Sequence, residues 1–131
     1  MGFSKKKREE VHGKYNGCCS YCGQDIAYSD MQVDHIIPKS NFETTIHNKY
    51  RVPKFLNHLT LEDVNHIDNL NPSCRRCNKF KDSMDLETFR EELQKQLERA
   101  ETTSANFRRA LQFGQVIKTP RDIVFHFEKS S

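Results

Sequence analysis

The residues of this chain best placed to bind or move charge are two cysteine pairs, Cys19/Cys22 and Cys74/Cys77, and the adjacent Asp34 and His35 between them. Each C-x-x-C pair spans one tight turn, so both of its sulfurs can reach one metal. Two such knuckles fill a tetrahedral thiolate shell and leave no open position, the arrangement structural zinc prefers. Gly23, directly after Cys22, supplies the backbone freedom a tight knuckle needs. Cys18 offers an alternative C-x-x-x-C spacing, but the two-residue spacing followed by glycine makes the better knuckle, so Cys18 is left free. The competing reading is two unrelated pairs of reduced, buried cysteines. Five cysteines with no secretory leader argue against a disulfide framework. Neither pair follows a βαβ pattern, which argues against thioredoxin-like redox work. Asp34 offers a carboxylate to a hard cation, and His35 an imidazole that titrates near neutral pH.

The elements that must position these groups are legible in outline. Residues 4–15 read as a short basic helix ended near Gly17, and 18–25 as a knuckle. MQVDHII at 31–37 is rich in β-formers and stops at Pro38, which predicts a strand. Neighbouring strand residues point to opposite faces, so Asp34 and His35 share a site only if the backbone bends there. Residues 41–66 form a long polar connection, with a helical turn expected after Thr60, capped by it and followed by Asp63. A second extended piece is predicted at 68–73. A helix should begin close to Cys74 and run past Lys81, and Asp85 should cap another. Leu86, Phe89, Leu93 and Leu97 recur at helical spacing through about Ala100. A further helix is expected over 104–113, ended by Gly114, and a strand over 122–127. The fold class is therefore α+β, a small two-strand and helix core flanked by an N-terminal helix and C-terminal helices. Residues 1–131 are expected to form a single domain, with a motif core over about 19–81 and a helical extension over about 85–131.

Hydrophobic residues make up 35% of the 131 and charged residues 30%, so the core is modest and a structural metal would reinforce it. No apolar run approaches the roughly 20 residues a bilayer span needs. The first ten residues lack the apolar stretch of a signal peptide, which points to a cytoplasmic protein. Net charge is only +3, but its distribution is informative. Lys5, Lys6, Lys7 and Arg8 form one run; Arg75, Arg76, Lys79 and Lys81 surround the second cysteine pair; Arg108, Arg109, Lys118 and Arg121 lie near the end. Such clusters suit phosphate contacts, whereas the plainer reading is solvated helix faces. His12, His47, His58, His66 and His126 match no motif and read as surface or ordinary hydrogen-bonding residues, His66 being closest to the motif.

The order Asp34-His35, Asn69, Cys74-x-x-Cys77-Asn78 and Lys81 resembles the HNH endonuclease family, and more closely its small four-cysteine members in bacteria and phages. The resemblance covers about residues 19–81, and FKDSMDLETFREEL at 80–93 is similar to the helix that commonly follows. It implies a ββα-metal core in which His35 is the general base and Asp34 and Asn78 hold a catalytic divalent ion. Asn69 braces the loop. Asparagine stands at position 78 where the family name has histidine. A neutral amide is the weaker ligand, so magnesium or manganese fits better there than zinc. The implied reaction is hydrolysis of DNA to 5′-phosphate and 3′-hydroxyl ends. The resemblance admits restriction-like, homing-like, nicking and phage-packaging roles, and neither a homodimer nor a phage packaging partner is specified by any residue. Two other readings compete: a non-catalytic zinc-containing DNA-binding module, and a zinc-stapled protein-interaction domain using the helix over 86–100.

Overall fold

A computed structural model describes residues 2–42 and 51–130; His47 lies outside them. Helix α1 (Lys5–Gly13) starts where Ser4 Oγ accepts the Lys7 N–H at 3.1 Å, and it buries Val11 against Met31 and Leu70. Past its end, Gly17 turns the chain at a positive φ of 78°, and a Cβ there would press on the His12 ring at 3.2 Å. Lys14 then reaches across to the carbonyl oxygens of Ile67 at 2.9 Å and Leu70 at 2.6 Å, fastening α1 to the second strand.

Strand β1 (Gln32–His35) pairs antiparallel with β2 (Leu70–Ser73) in a two-stranded sheet, with Asp34 opposite Asn71 and His35 opposite Leu70. Pro72 lacks an N–H, yet its carbonyl accepts the Ser20 N–H at 2.9 Å, so the knuckle docks on the outer edge of β2. Helix α2 (Lys39–Phe42) follows β1 past Pro38. Helix α3 (Arg75–Lys81) is capped by Cys74 and stops where Asp82 adopts a φ of 49°. Two strands and then a helix form the expected α+β core.

Asp85 caps α4 (Leu86–Gln94), its carboxylate accepting the Thr88 N–H at 2.7 Å. The helix expected to run on to Ala100 breaks at Lys95, whose φ and ψ of −90° and 2° leave the helical region, and α5 (Gln96–Thr103) starts anew. Helix α6 (Ala105–Gln112), capped by Ser104 and followed by Gly114 at φ 75°, packs back on α5.

The expected strand over 122–127 is not one. Its alternation is real, since Ile123, Phe125 and Phe127 all pack on the core. Among the described residues, however, the tail has no strand partner. The N–H groups of His126 and Phe127 go to Tyr21 O and Ser20 O, and the chain closes in a 3-10 turn (His126–Ser130). Arg90 fixes this tail through Glu128 at 2.6 Å, Ile123 O at 2.8 Å and the face of Phe125. Phe125 stacks on Phe89 at 5.2 Å, and Tyr21 sits edge-on to both, which makes the centre of the core aromatic. After Thr60 the chain makes a single turn, with the Asp63 N–H on Thr60 O at 3.0 Å and its carboxylate accepting from the Thr60 N–H and hydroxyl, and a 3-10 helix follows at Ile67–Asn69.

Candidate functional site: a four-cysteine centre beside an aspartate–histidine cleft

The sulfurs of Cys19, Cys22, Cys74 and Cys77 all lie within 4.8 Å of one another. Tetrahedral zinc with bonds of about 2.3 Å needs sulfurs roughly 3.8 Å apart, and Cys22 Sγ to Cys74 Sγ is 3.9 Å. The donors therefore fit zinc. Local folding explains the fit. Gly23, at φ 81°, lets its N–H reach Cys19 O at 3.0 Å, and a Cβ there would strike the His126 ring at 3.0 Å. On the other knuckle, the N–H of Cys77 points at Cys74 Sγ (3.4 Å) and that of Cys74 at Cys19 Sγ (3.3 Å). Hydrogen bonding from Cys77 and nearby N–H groups pulls the Cys19 thiol down to about 4, whereas burial and neighbouring sulfur charge push Cys22 up to about 11. Four sulfurs this close cannot all ionise without a cation among them. Cys18 stays outside the cluster, facing Asp25 at 3.4 Å.

Beside this centre, at the end of β1, lies a cleft of about 400 Å³ whose lining includes Asp34, His35, Lys39, Asn78 and Asp82. The bend after His35 brings both members of the Asp34-His35 pair to it. Asp34 is 4% exposed. Its Oδ2 accepts the Tyr21 hydroxyl at 2.5 Å and faces Lys81 Nζ at 3.2 Å. Burial raises its pKa above the ordinary carboxylate value, opposed by the Lys81 charge and the Tyr21 hydrogen bond.

Lys81 requires a correction. The charge pattern counts it among phosphate-contacting residues, yet it is 0% exposed. Its ammonium donates to His35 O at 2.9 Å and Ile36 O at 3.4 Å while pairing with Asp34. It is an internal cation. The signal was available: Cys74, Cys77, Asn78 and Lys81 recur at three and four residues, one inward face of α3. Arg75, Arg76 and Lys79 are exposed on the same helix. In the C-terminal basic cluster, Arg108 on α6 donates to the carbonyls of Glu101 and Thr102 on α5, and Lys118 ties the segment after α6 to Glu101.

His35 Nε2 lies 2.8 Å from Asn65 Oδ1, and the Phe3 ring packs against the imidazole at 5.9 Å. Burial lowers the His35 pKa, and the hydrogen bond to Asn65 raises it in part. Asn69 is fully buried. Its Oδ1 accepts the Ile37 N–H at 2.8 Å, and its Nδ2 donates to Ile37 O and Val64 O. Asn65, Tyr21 and Lys39 were not singled out from the sequence. Asn65 sits in a polar loop with no periodicity to mark it, and Lys39 reads as any lysine after a proline.

One comparison bears directly on this arrangement. The HNH endonuclease family model matches residues 19–49. The HNH match takes in the first knuckle, β1 and the Asp34-His35 pair, and it stops before Asn69, Cys74, Cys77 and Asn78. Its stretch over 43–49 lies outside the described residues. Among solved structures, the Type II-C Cas9 enzyme from Actinomyces naeslundii aligns with 71% of this chain at 22% identity and a TM-score of 0.47. The chain spans 9% of that enzyme's length. No curated protein matches. No helix among the described residues is long and apolar enough to cross a membrane.

Proposed function

We propose that this chain is a metal-dependent DNA endonuclease of HNH type, in which zinc at Cys19, Cys22, Cys74 and Cys77 is structural and the cleft at Asp34 and His35 is catalytic. The observation that carries the reading is that one cleft gathers a carboxylate, an amide and an imidazole beside a thiolate centre with no open position. Asp34 and Asn78 form a hard oxygen donor set with room for retained waters, which suits magnesium or manganese. When bound there, such an ion supplies Lewis acidity toward a phosphate oxygen and the departing 3′-oxygen.

The chain's own residues supply the rest. His35, its pKa lowered by burial, is a neutral base at physiological pH and takes the proton of the attacking water. Lys81 and Tyr21 hold Asp34 in place, and Asn69 ties the backbone after His35 to the loop at Val64. Lys39 at the cleft, with Arg75, Arg76 and Lys79 on α3, offers charge to flanking phosphates. The products are a 5′-phosphate and a 3′-hydroxyl end. A plasmid-nicking assay on zinc-loaded protein, with magnesium or manganese either supplied or withheld, tests the reading. Nicking that requires the added ion supports the enzyme. DNA binding without nicking under any metal would identify the non-catalytic binding module instead. Withholding the ion is preferable to chelation, which would also strip the structural site.

A further inference from the structure

We propose that Asn65 selects the tautomer of His35, its side-chain oxygen accepting the Nε2–H so that Nδ1 is left as the unprotonated base. A neutral imidazole carries one donor and one acceptor nitrogen, and the partner of one nitrogen decides the state of the other. Here Nε2 is the engaged nitrogen, 2.8 Å from Asn65 Oδ1. His35 lines the cleft and Asn65 does not, and with Nε2 engaged by Asn65 the ring nitrogen left over to accept a proton is Nδ1.

Asn65 is exposed, but the two backbones that carry the pair are tied together by the fold. Asn69, fully buried, grips Ile37 through both its N–H and its carbonyl, two residues beyond His35. The same amide donates at 3.0 Å to Val64 O, one residue before Asn65. The Asn69 backbone carbonyl also accepts the Ile36 N–H at 2.9 Å. One buried side chain thus fixes the spacing between the two backbones that carry His35 and Asn65, while Phe3 packs on the imidazole. A loop brace and a tautomer selector are two ends of one device.

The proposal rests on the nuclease reading for its consequence. In the reaction, the water oxygen bonds to phosphorus as the bond from phosphorus to the 3′-oxygen breaks. The water's proton goes to Nδ1 while Nε2–H stays with Asn65, and the 3′-oxygen leaves with a proton from solvent. Asn65 is a positioning residue, since it touches His35 and not the reacting atoms.

The test reads the tautomer directly. Zinc-loaded, ¹⁵N-labelled protein is studied by long-range proton–nitrogen correlation of the histidine rings, at a pH above imidazole titration, beside cleavage at saturating DNA. Wild type should show His35 protonated on Nε2 and bare on Nδ1. Asn65→Asp should keep that pattern, because a carboxylate can only accept, and should keep cleavage within a few-fold. Asn65→Lys presents only donors, so it should move the proton to Nδ1 and lower kcat about tenfold or more, although its added charge favours DNA binding. Asn65→Ala should give a mixture of tautomers. Protonation on Nδ1 in the wild type, as an inverted Asn65 amide would require, overturns the proposal, as does an Asn65→Lys protein with unchanged tautomer and rate. If the wild type shows the Nε2–H pattern but cuts no DNA, the nuclease reading fails while the tautomer assignment stands.

Discussion

Replacing Lys81 with methionine should be among the most damaging single changes outside the zinc ligands. The ammonium is fully buried, 3.2 Å from Asp34 Oδ2 and 2.9 Å from His35 O. Methionine keeps much of the volume and removes the charge, which leaves Asp34 buried with Tyr21 as its side-chain hydrogen-bond partner among the described residues. Breaking a buried ion pair by removing one member costs about 3–5 kcal/mol, because the other charge stays desolvated. For a domain whose total stability is roughly 5–15 kcal/mol, that corresponds to a fall in melting temperature of roughly 10–20 °C. The assay is thermal or urea unfolding of zinc-loaded protein at neutral pH. The pair Lys81→Met/Asp34→Asn should be more stable than Lys81→Met alone, since it leaves no orphaned charge. Loss of under about 1 kcal/mol in Lys81→Met, or a double variant no better than the single, would refute the argument that Lys81 is the counter-ion of Asp34.

Other outcomes follow from the same geometry. Purified protein should carry about one zinc per chain; Cys22→Ser or Cys74→Ser should lose it and unfold much of the protein, while Cys18→Ser keeps it, as elemental analysis and circular dichroism would show. Asp85→Ala should cost about 1 kcal/mol at neutral pH by removing the cap of α4. Burial pushes the Asp85 pKa up, but hydrogen bonds from Thr88 and Arg51 outweigh it and hold it below the usual value. A depressed carboxylate contributes stability above its unfolded pKa of about 3.9 and loses it as pH falls through the folded value, so the gap between wild type and Asp85→Ala should close in urea titrations below about pH 4. Neutralising Arg75, Arg76 or Lys79 should weaken DNA binding on all sequences alike and reduce the salt slope by about one. Unchanged slopes in a fluorescence titration would remove those residues from the interface.

How far the sequence carried depended on whether the signal was local. Both knuckles, the β1 strand, the cap at Asp85 and the helix that ends before Gly114 rest on spacing and neighbouring chemistry, and the structure has each of them. Elements decided by tertiary partners depart from what local pattern predicts. The Phe125 tail alternates like a strand because every second residue packs inward, yet the knuckle and Arg90 satisfy it without a sheet. The charge of Lys81 argues for an outward side chain, whereas its position on α3 shares the face of Cys77 and Asn78. The cleft that unites Asp34, His35 and Asn78 needs the bend after His35, which Pro38 and the polar loop behind it make plausible in the sequence. Asn65 meets His35 only because Asn69 holds two distant backbones together, a contact that no local pattern encodes.

Whether His35 acts on the attacking water is tested by a single comparison. Wild type and His35→Ala, matched for zinc content and DNA affinity, are assayed for plasmid nicking over a series of magnesium and manganese concentrations. A general base contributes about 10² to 10⁴-fold to the chemical step and little to ground-state binding. The expected result is loss of cleavage by at least that lower factor, not restored at any metal concentration, with binding and zinc intact. Cleavage by His35→Ala near the wild-type rate would show that His35 is not the base.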